Sequence, residues 1–138
     1  EKLRLLSIQS NRIRTIENLN VVKDTLEELY ISHNYLTKIE NLSELTHINT
    51  LDIAGNKIEH LEGLDNLMEL TDLWANSNLF SSFEEVESQL FNKKDLETVY
   101  FEHNPLQNSA GATYRLKLKT LLPQITQIDA VMVRPQES

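Results

Sequence analysis

Asp52 and Asp72 are the two residues of this chain whose types could do acid–base work as a pair, and Trp74 and Tyr100 lie close to them in the sequence pattern, with Glu28 and Tyr30 upstream. Two carboxylates split into an acid and a base only where burial or mutual repulsion drives their pKa values apart. The alternative chemistry is recognition. Aromatic side chains beside charged ones are the usual composition of an energetic centre in a protein–protein interface. Four histidines add a third possibility, metal binding, but His33, His47, His60 and His103 do not fall at ligand spacing. No glycine-rich phosphate-cradling loop occurs, and there is no cysteine, which removes disulfides, thiolate metal sites and cysteine nucleophiles. The choice depends on which elements hold these residues.

Those elements are written in the sequence as a period. The pattern Leu-x-x-Leu-x-Leu-x-x-Asn begins at Leu3, Leu26, Ile48, Leu70 and Leu96, and closes on Asn11, Asn34, Asn56, Asn78 and Asn104, at spacings of 23, 22, 22 and 26. A second phrase follows the asparagine: Asn-Arg-Ile-Arg-Thr-Ile-Glu-Asn-Leu from 11, Asn-Tyr-Leu-Thr-Lys-Ile-Glu-Asn-Leu from 34 and Asn-Lys-Ile-Glu-His-Leu-Glu-Gly-Leu from 56. Periods of this length are the mark of a stacked solenoid, here a leucine-rich repeat. The Leu-x-Leu centre alternates with period two, as a strand does. The leucines point inward, and the third and fifth positions of each copy point outward. The fold class expected is α/β: a leucine-rich-repeat solenoid with a concave parallel sheet, a 3₁₀/α convex side and a C-terminal helical cap. The asparagines are expected to satisfy backbone groups of adjacent turns that stacking would leave unpaired.

In the intervals between strands, short 3₁₀ or helical turns are expected around Ile16–Leu19, Ile39–Leu42 and Leu61–Leu67. The longest interval holds a helix over about 83 to 91, with a capping box at Ser82–Glu85 and Val86, Leu90 and Phe91 on its inner face. Tyr114, Leu118, Leu121 and Leu122 predict a second helix over about 110 to 122, followed by an extended apolar return through Ile125, Ile128 and Val131. The organisation expected is one domain over 1–138, with turns starting near 3, 26, 48, 70 and 96 and a cap over about 105–138. A full motif begins within two residues of Glu1, so upstream turns, or a neighbour covering the N-terminal edge, are also expected.

Stacking gives two outward rows. The fifth-position row reads Ser7, Tyr30, Asp52, Trp74, Tyr100, and the third-position row Leu5, Glu28, Thr50, Asp72, Thr98. Asp52, Asp72, Trp74, Tyr100, Glu28 and Tyr30 are therefore expected to form one exposed concave, partner-binding surface. An open sheet gives its carboxylates little desolvation, so no catalysis is expected, and neither cofactor nor metal. The histidines read as surface or turn residues, and Lys93–Lys94 and Lys117/Lys119 are small basic groups too sparse for a nucleic-acid surface. The net charge of −8 argues against nucleic acid as partner. No apolar run of about 18 residues exists, so no membrane span is expected. Asn41-Leu42-Ser43 matches the glycosylation tripeptide, a pattern common by chance.

The phrases Leu-Tyr-Ile-Ser-His-Asn (29–34), Leu-Asp-Ile-Ala-Gly-Asn (51–56), Leu-Glu-Thr-Val-Tyr-Phe-Glu-His-Asn-Pro-Leu-Gln (96–107) and the cap phrase Tyr-Arg-Leu-Lys-Leu-Lys-Thr-Leu-Leu-Pro with Gln-Ile-Asp-Ala after it carry a resemblance. The chain resembles the family of leucine-rich-repeat regulatory subunit 7 of protein phosphatase 1 (suppressor of dis2 type), in the C-terminal part of its array. The resemblance implies a non-catalytic regulator that binds the phosphatase catalytic subunit through the concave face, controls its assembly, localisation or activity, and works in nucleus and cytoplasm. It also implies that Asp52, Asp72, Trp74 and Tyr100 match the family's contact positions; Asp72 stands where a glutamate is usual, keeping the charge with a shorter reach. A scaffold of the same repeat class for a spliceosomal or cytoskeletal complex is the alternative.

Overall fold

A computed structural model describes residues 2–133 of the chain. Each Leu-x-Leu centre forms a three-residue strand: β1 (Leu5–Ser7), β2 (Glu28–Tyr30), β3 (Thr50–Asp52), β4 (Asp72–Trp74) and β5 (Thr98–Tyr100). All five are parallel and in register, with Leu6, Leu29, Leu51, Leu73 and Val99 in one inward row. Parallel strands need a crossover, and the residues after each asparagine supply it over the convex side. β6 (Gln127–Ile128) adds to β5 in parallel, and β7 (Val131–Met132) turns back antiparallel to end the sheet, whose order is β1 to β7 in sequence.

The core is a stack of aliphatic layers, one per turn. Leu26, Leu29, Ile48, Leu51, Leu70, Leu73, Leu96 and Val99 are at most 1% exposed. Phe80 and Phe101 meet edge to face at 6.1 Å beneath the last turns. The asparagines do what the pattern predicts. Asn56 accepts from the N–H groups of Asn34 and Leu36, both at 3.1 Å, and donates to the carbonyls of Ile31, Ile53 and Ala54. Asn34, Asn78 and Asn104 repeat this arrangement. At the end of the array Asp129 takes over, accepting from the Phe101 and Glu102 N–H groups and from the Tyr114 hydroxyl at 3.0 Å. Burial and then Asp129 push the Tyr114 hydroxyl well above its ordinary pKa.

The convex side differs in detail from expectation. The first 3₁₀ turn lies at Asn20–Val22, beyond Ile16–Leu19. The next two intervals hold two successive i→i+3 bonds each, Leu45 N–H to Leu42 and Ile48 to Leu45, then Leu67 to Leu64 and Leu70 to Leu67, so these turns begin at Leu42 and Leu64. Buried residues every third position (42, 45, 48 and 64, 67, 70) suit such closures. Helix α1 (Phe83–Leu90) forms as predicted, but only half of its capping box does. Ser82 accepts from the Glu85 N–H, while the Glu85 carboxylate reaches across to the Leu61 N–H and His60. Val86 and Leu90 are buried, yet Phe91 is 59% exposed because it falls one residue past the helix and off its inner face.

The cap helix starts earlier than predicted and is broken. Pro105 occupies the first turn of α2 (Pro105–Ala110), a 3₁₀ turn covers Gly111–Thr113, and α3 (Tyr114–Leu121) follows. The break sits at Gly111, whose φ of 57° and ψ of −128° suit a residue without a Cβ. The extended return forms, but Val131 lies outside the core, 51% exposed on β7. Glu1 and residues 134–138, the last part of the expected cap region, lie outside the described residues.

Candidate partner-binding face

Register places the two outward rows as the period requires: Tyr30 beside Asp52, Asp52 beside Trp74 and Trp74 beside Tyr100, with Glu28, Thr50, Asp72 and Thr98 alongside. The side chains do not simply stand in that order. Tyr30 and Trp74 are two strands apart, so their backbones are about 9.6 Å apart. Their ring centroids are only 5.9 Å apart, inclined at 53°. The large rings lean together over the smaller Asp52 between them. Trp74 also meets Tyr100 at 6.0 Å and 61°, making a continuous row of three aromatic rings in edge-on contacts.

This lean corrects the expectation of an open, solvated surface. Asp52 is 6% exposed, and Glu28, Tyr30, Asp72, Trp74 and Tyr100 are half-buried. Burial pushes the Asp52 carboxyl above its ordinary value, against the opposing pull of the Ala54 N–H, His33 and Ser32. The Ala54 N–H donates to Asp52 at 3.0 Å. Glu28 is tied to Tyr30, whose hydroxyl donates to Glu28 Oε1 at 2.6 Å. That bond, with burial second, pushes the Tyr30 hydroxyl up to about 12. Asp72 turns aside and accepts from the Thr71 hydroxyl at 3.1 Å.

Beyond the strand ends the face deepens into a recess of about 260 Å³, lined by His33, Asp52, Trp74, Asn76, Tyr100 and Glu102 among others. Reading the rows alone missed His33, Asn76 and Glu102, because they lie past the Leu-x-Leu centre. The inter-turn ladder nevertheless continues through them: His33 N–H donates to Ala54, Gly55 N–H to Asn76 and Ser77 N–H to Glu102. A missed signal was available at the residue before each asparagine. Ser10, His33, Gly55, Ser77 and His103 all adopt positive φ, between 57° and 69°. Gly55 also makes room: a Cβ there would lie 2.4 Å from His33 Nδ1. Tyr100 is braced by Gln127, whose side-chain amide donates to its hydroxyl at 3.3 Å.

Residues outside this face have contacts of their own. Lys93 is buried, its ammonium donating to the Leu64 carbonyl at 2.7 Å near the Met68 sulfur; burial lowers its pKa. Lys117 lies over the Phe83 ring at 4.8 Å, and Lys119 donates to the Ile125 carbonyl at 3.0 Å at the end of α3. His47 and His60 are on the surface as expected, and pair with Glu69 at 3.3 Å and Glu85 at 3.0 Å on the next turn. The Asn41 side-chain amide is engaged, donating to the Ile16 carbonyl at 2.6 Å. Among the described residues, no group of three or more His, Cys, Asp or Glu side chains could hold a metal ion, and no helix is long and apolar enough to cross a membrane.

A parallel sheet advancing one strand per turn, with an asparagine ladder at its rim, defines the class, and the leucine-rich repeat pattern matches residues 2–138; the chain belongs to the leucine-rich repeat family. Within that family its similarities point to particular relatives. It is 51% identical over 76 residues to the protein phosphatase 1 regulatory subunit SDS22 of Schizosaccharomyces pombe, covering 55% of this chain and 22% of the relative. It is 36% identical over 77 residues to the protein phosphatase 1 regulatory inhibitor subunit PPP1R7 homolog of Arabidopsis thaliana, covering 56% and 24%. Both matches span about a quarter or less of the relative's length. Among solved structures, the Drosophila melanogaster SNF/U2A' complex superposes with a TM-score of 0.84 at 26% identity, over 96% of this chain and 76% of that one.

Proposed function

We propose that this chain belongs to a non-catalytic regulatory subunit that binds the catalytic subunit of protein phosphatase 1 through its concave face and controls its assembly, localisation or activity in nucleus and cytoplasm. The observation that carries the reading is the Tyr30–Trp74–Tyr100 ring row closed over Asp52, a preorganised aromatic and acidic surface. Rigid rings held in contact lose little freedom on binding, and aromatic anchors commonly carry most of an interface's energy. The similarity to phosphatase 1 regulatory subunits supports the choice of partner. Asp52, Asp72, Trp74, Tyr100, Glu28 and Tyr30 are the proposed contacts.

A second reading, a spliceosomal scaffold, is favoured by one observation. The similarity to a probable U2 small nuclear ribonucleoprotein A' of Caenorhabditis elegans runs over 98% of this chain, cap included, at 27% identity. Affinity capture from cell extract with the complete protein separates the two. Recovery of the phosphatase catalytic subunit supports the first reading, and recovery of a small nuclear ribonucleoprotein without phosphatase supports the second.

A further inference from the structure

We infer that the recess between Asp52, Trp74, Tyr100 and Glu102 receives a cationic side chain of the protein partner, an arginine guanidinium in preference to a lysine ammonium. The inference rests on the concave face being the partner surface, and adds what chemistry that partner must present.

Four features of the recess agree on a cation. Two carboxylates line it, Asp52 at 6% exposure and half-buried Glu102. The indole of Trp74 and the phenol of Tyr100 line it with aromatic surface, and ring faces attract cations, guanidinium most often. Asn76 adds a side-chain amide that can accept or donate. The Asp52 carboxylate accepts from the Ala54 N–H at 3.0 Å, with His33 and the Ser32 hydroxyl also drawing on it, and is screened from water by the rings above it. A carboxylate desolvated in this way gains most from a cation brought alongside.

The bordering rings select further. His33 closes one side, and its ring lies over Gly55, where no other residue leaves it room. The recess is bordered by the rings of His33, Trp74 and Tyr100, and a planar guanidinium stacks on such rings while reaching a carboxylate better than a compact ammonium or an apolar group does. An anionic group would meet two carboxylates, and with a net charge of −8 the rest of the chain would oppose it as well.

Trp74 is the single tryptophan of the sequence, so its fluorescence reports on the recess. The test titrates the 138-residue chain with N-acetyl-arginine amide, using N-acetyl-leucine amide and N-acetyl-glutamate amide as comparisons. The expected result is a saturable change in Trp74 emission with the arginine compound alone, and a half-saturation concentration raised about tenfold in Asp52→Asn. Asparagine keeps an acceptor for the Ala54 N–H, so this variant retains the local fold; Glu102→Gln, at a half-buried rim position, gives a second reading free of core effects and should also weaken binding. An equal response to the leucine compound, no saturable response to arginine, or unchanged half-saturation in both variants would overturn the inference. The partner is read separately, by the affinity of the complete protein for the phosphatase catalytic subunit. Loss of that affinity in Trp74→Ala with none in Asp52→Asn or Glu102→Gln sinks the cation site and leaves the phosphatase reading standing. Arginine binding in the recess with phosphatase affinity unaffected by Trp74→Ala does the reverse.

Discussion

Tyr30 and Trp74 touch across an intervening strand, their ring centroids 5.9 Å apart above the carboxylate of Asp52. The contact exists because a short residue lies between two long ones in the same outward row. It converts a row of separate side chains into a closed surface, and it takes Asp52 out of water. Replacing Tyr30 by alanine should therefore expose Asp52 and lower its pKa toward the ordinary aspartate value, since burial is the leading cause of its rise. Carboxyl NMR titration of Asp52 in the two proteins measures this, and an unchanged Asp52 would mean the rings do not provide the shield.

The asparagine ladder predicts a gradient of stability costs. Asn56→Ala leaves the Asn34 and Leu36 N–H groups without their acceptor inside the core, while the Ile31, Ile53 and Ala54 carbonyls keep donors from Asn34, Asn78 and His33. At about 1–3 kcal/mol for each buried group left unsatisfied, a loss of roughly 3 kcal/mol or more is expected. Asn11 is exposed, and its side chain donates to the Gln9 carbonyl of its own turn. Asn11→Ala should cost under about 1 kcal/mol. Urea unfolding of both variants checks the contrast, and equal losses would contradict it.

Much of this was readable in advance, and the reason is physical. The asparagine ladder, the inward leucines and the register follow from a period that every turn repeats, so each copy corrects the reading of the others. Trp74 and Asp52 were placed as neighbours for the same reason. What the period does not encode was misread. The lean of Tyr30 toward Trp74 depends on the size of the residue between them, so Asp52 was expected to be solvated. His33, Asn76 and Glu102 were passed over because they follow the strand. Lys93 was read only as part of a sparse basic group, yet the turn after α1 buries its stem and gives its ammonium the Leu64 carbonyl. The break at Gly111 was the one cap feature its residue type announces, and helical spacing alone hid it.

Lys93 gives a pH signature of its own. Burial lowers its folded pKa below the ordinary lysine value of 10.5. Between the lowered value and 10.5 the unfolded chain holds a proton that the folded chain has released, so the Lys93 contribution to stability rises with pH across that window. Lys93→Met should remove this rise while changing stability near neutral pH by no more than about 1–2 kcal/mol, because an apolar side chain of similar length replaces a costly buried charge. Unfolding free energies measured across alkaline pH for both proteins test it; the same slope in each would rule Lys93 out as the source.

The His60–Glu85 pair acts in the opposite sense. Its hydrogen bond to Glu85 raises the His60 pKa above 6.5. The contribution is fully present below the unfolded value and is lost as pH rises through the folded one. Glu85→Gln should bring the His60 midpoint down toward 6.5, read from its imidazole proton resonances. A midpoint that stays put would show that Glu85 does not hold the proton.

The account stands on the ring row as the partner surface, and its most direct test is the affinity of the complete protein for the catalytic subunit of protein phosphatase 1, measured by calorimetry with and without Trp74→Ala. Trp74 touches both Tyr30 and Tyr100, so its removal opens the row at its centre. The account predicts a loss of about 2 kcal/mol or more, at least thirtyfold in Kd, with the fold intact by circular dichroism. Affinity unchanged by Trp74→Ala would contradict it.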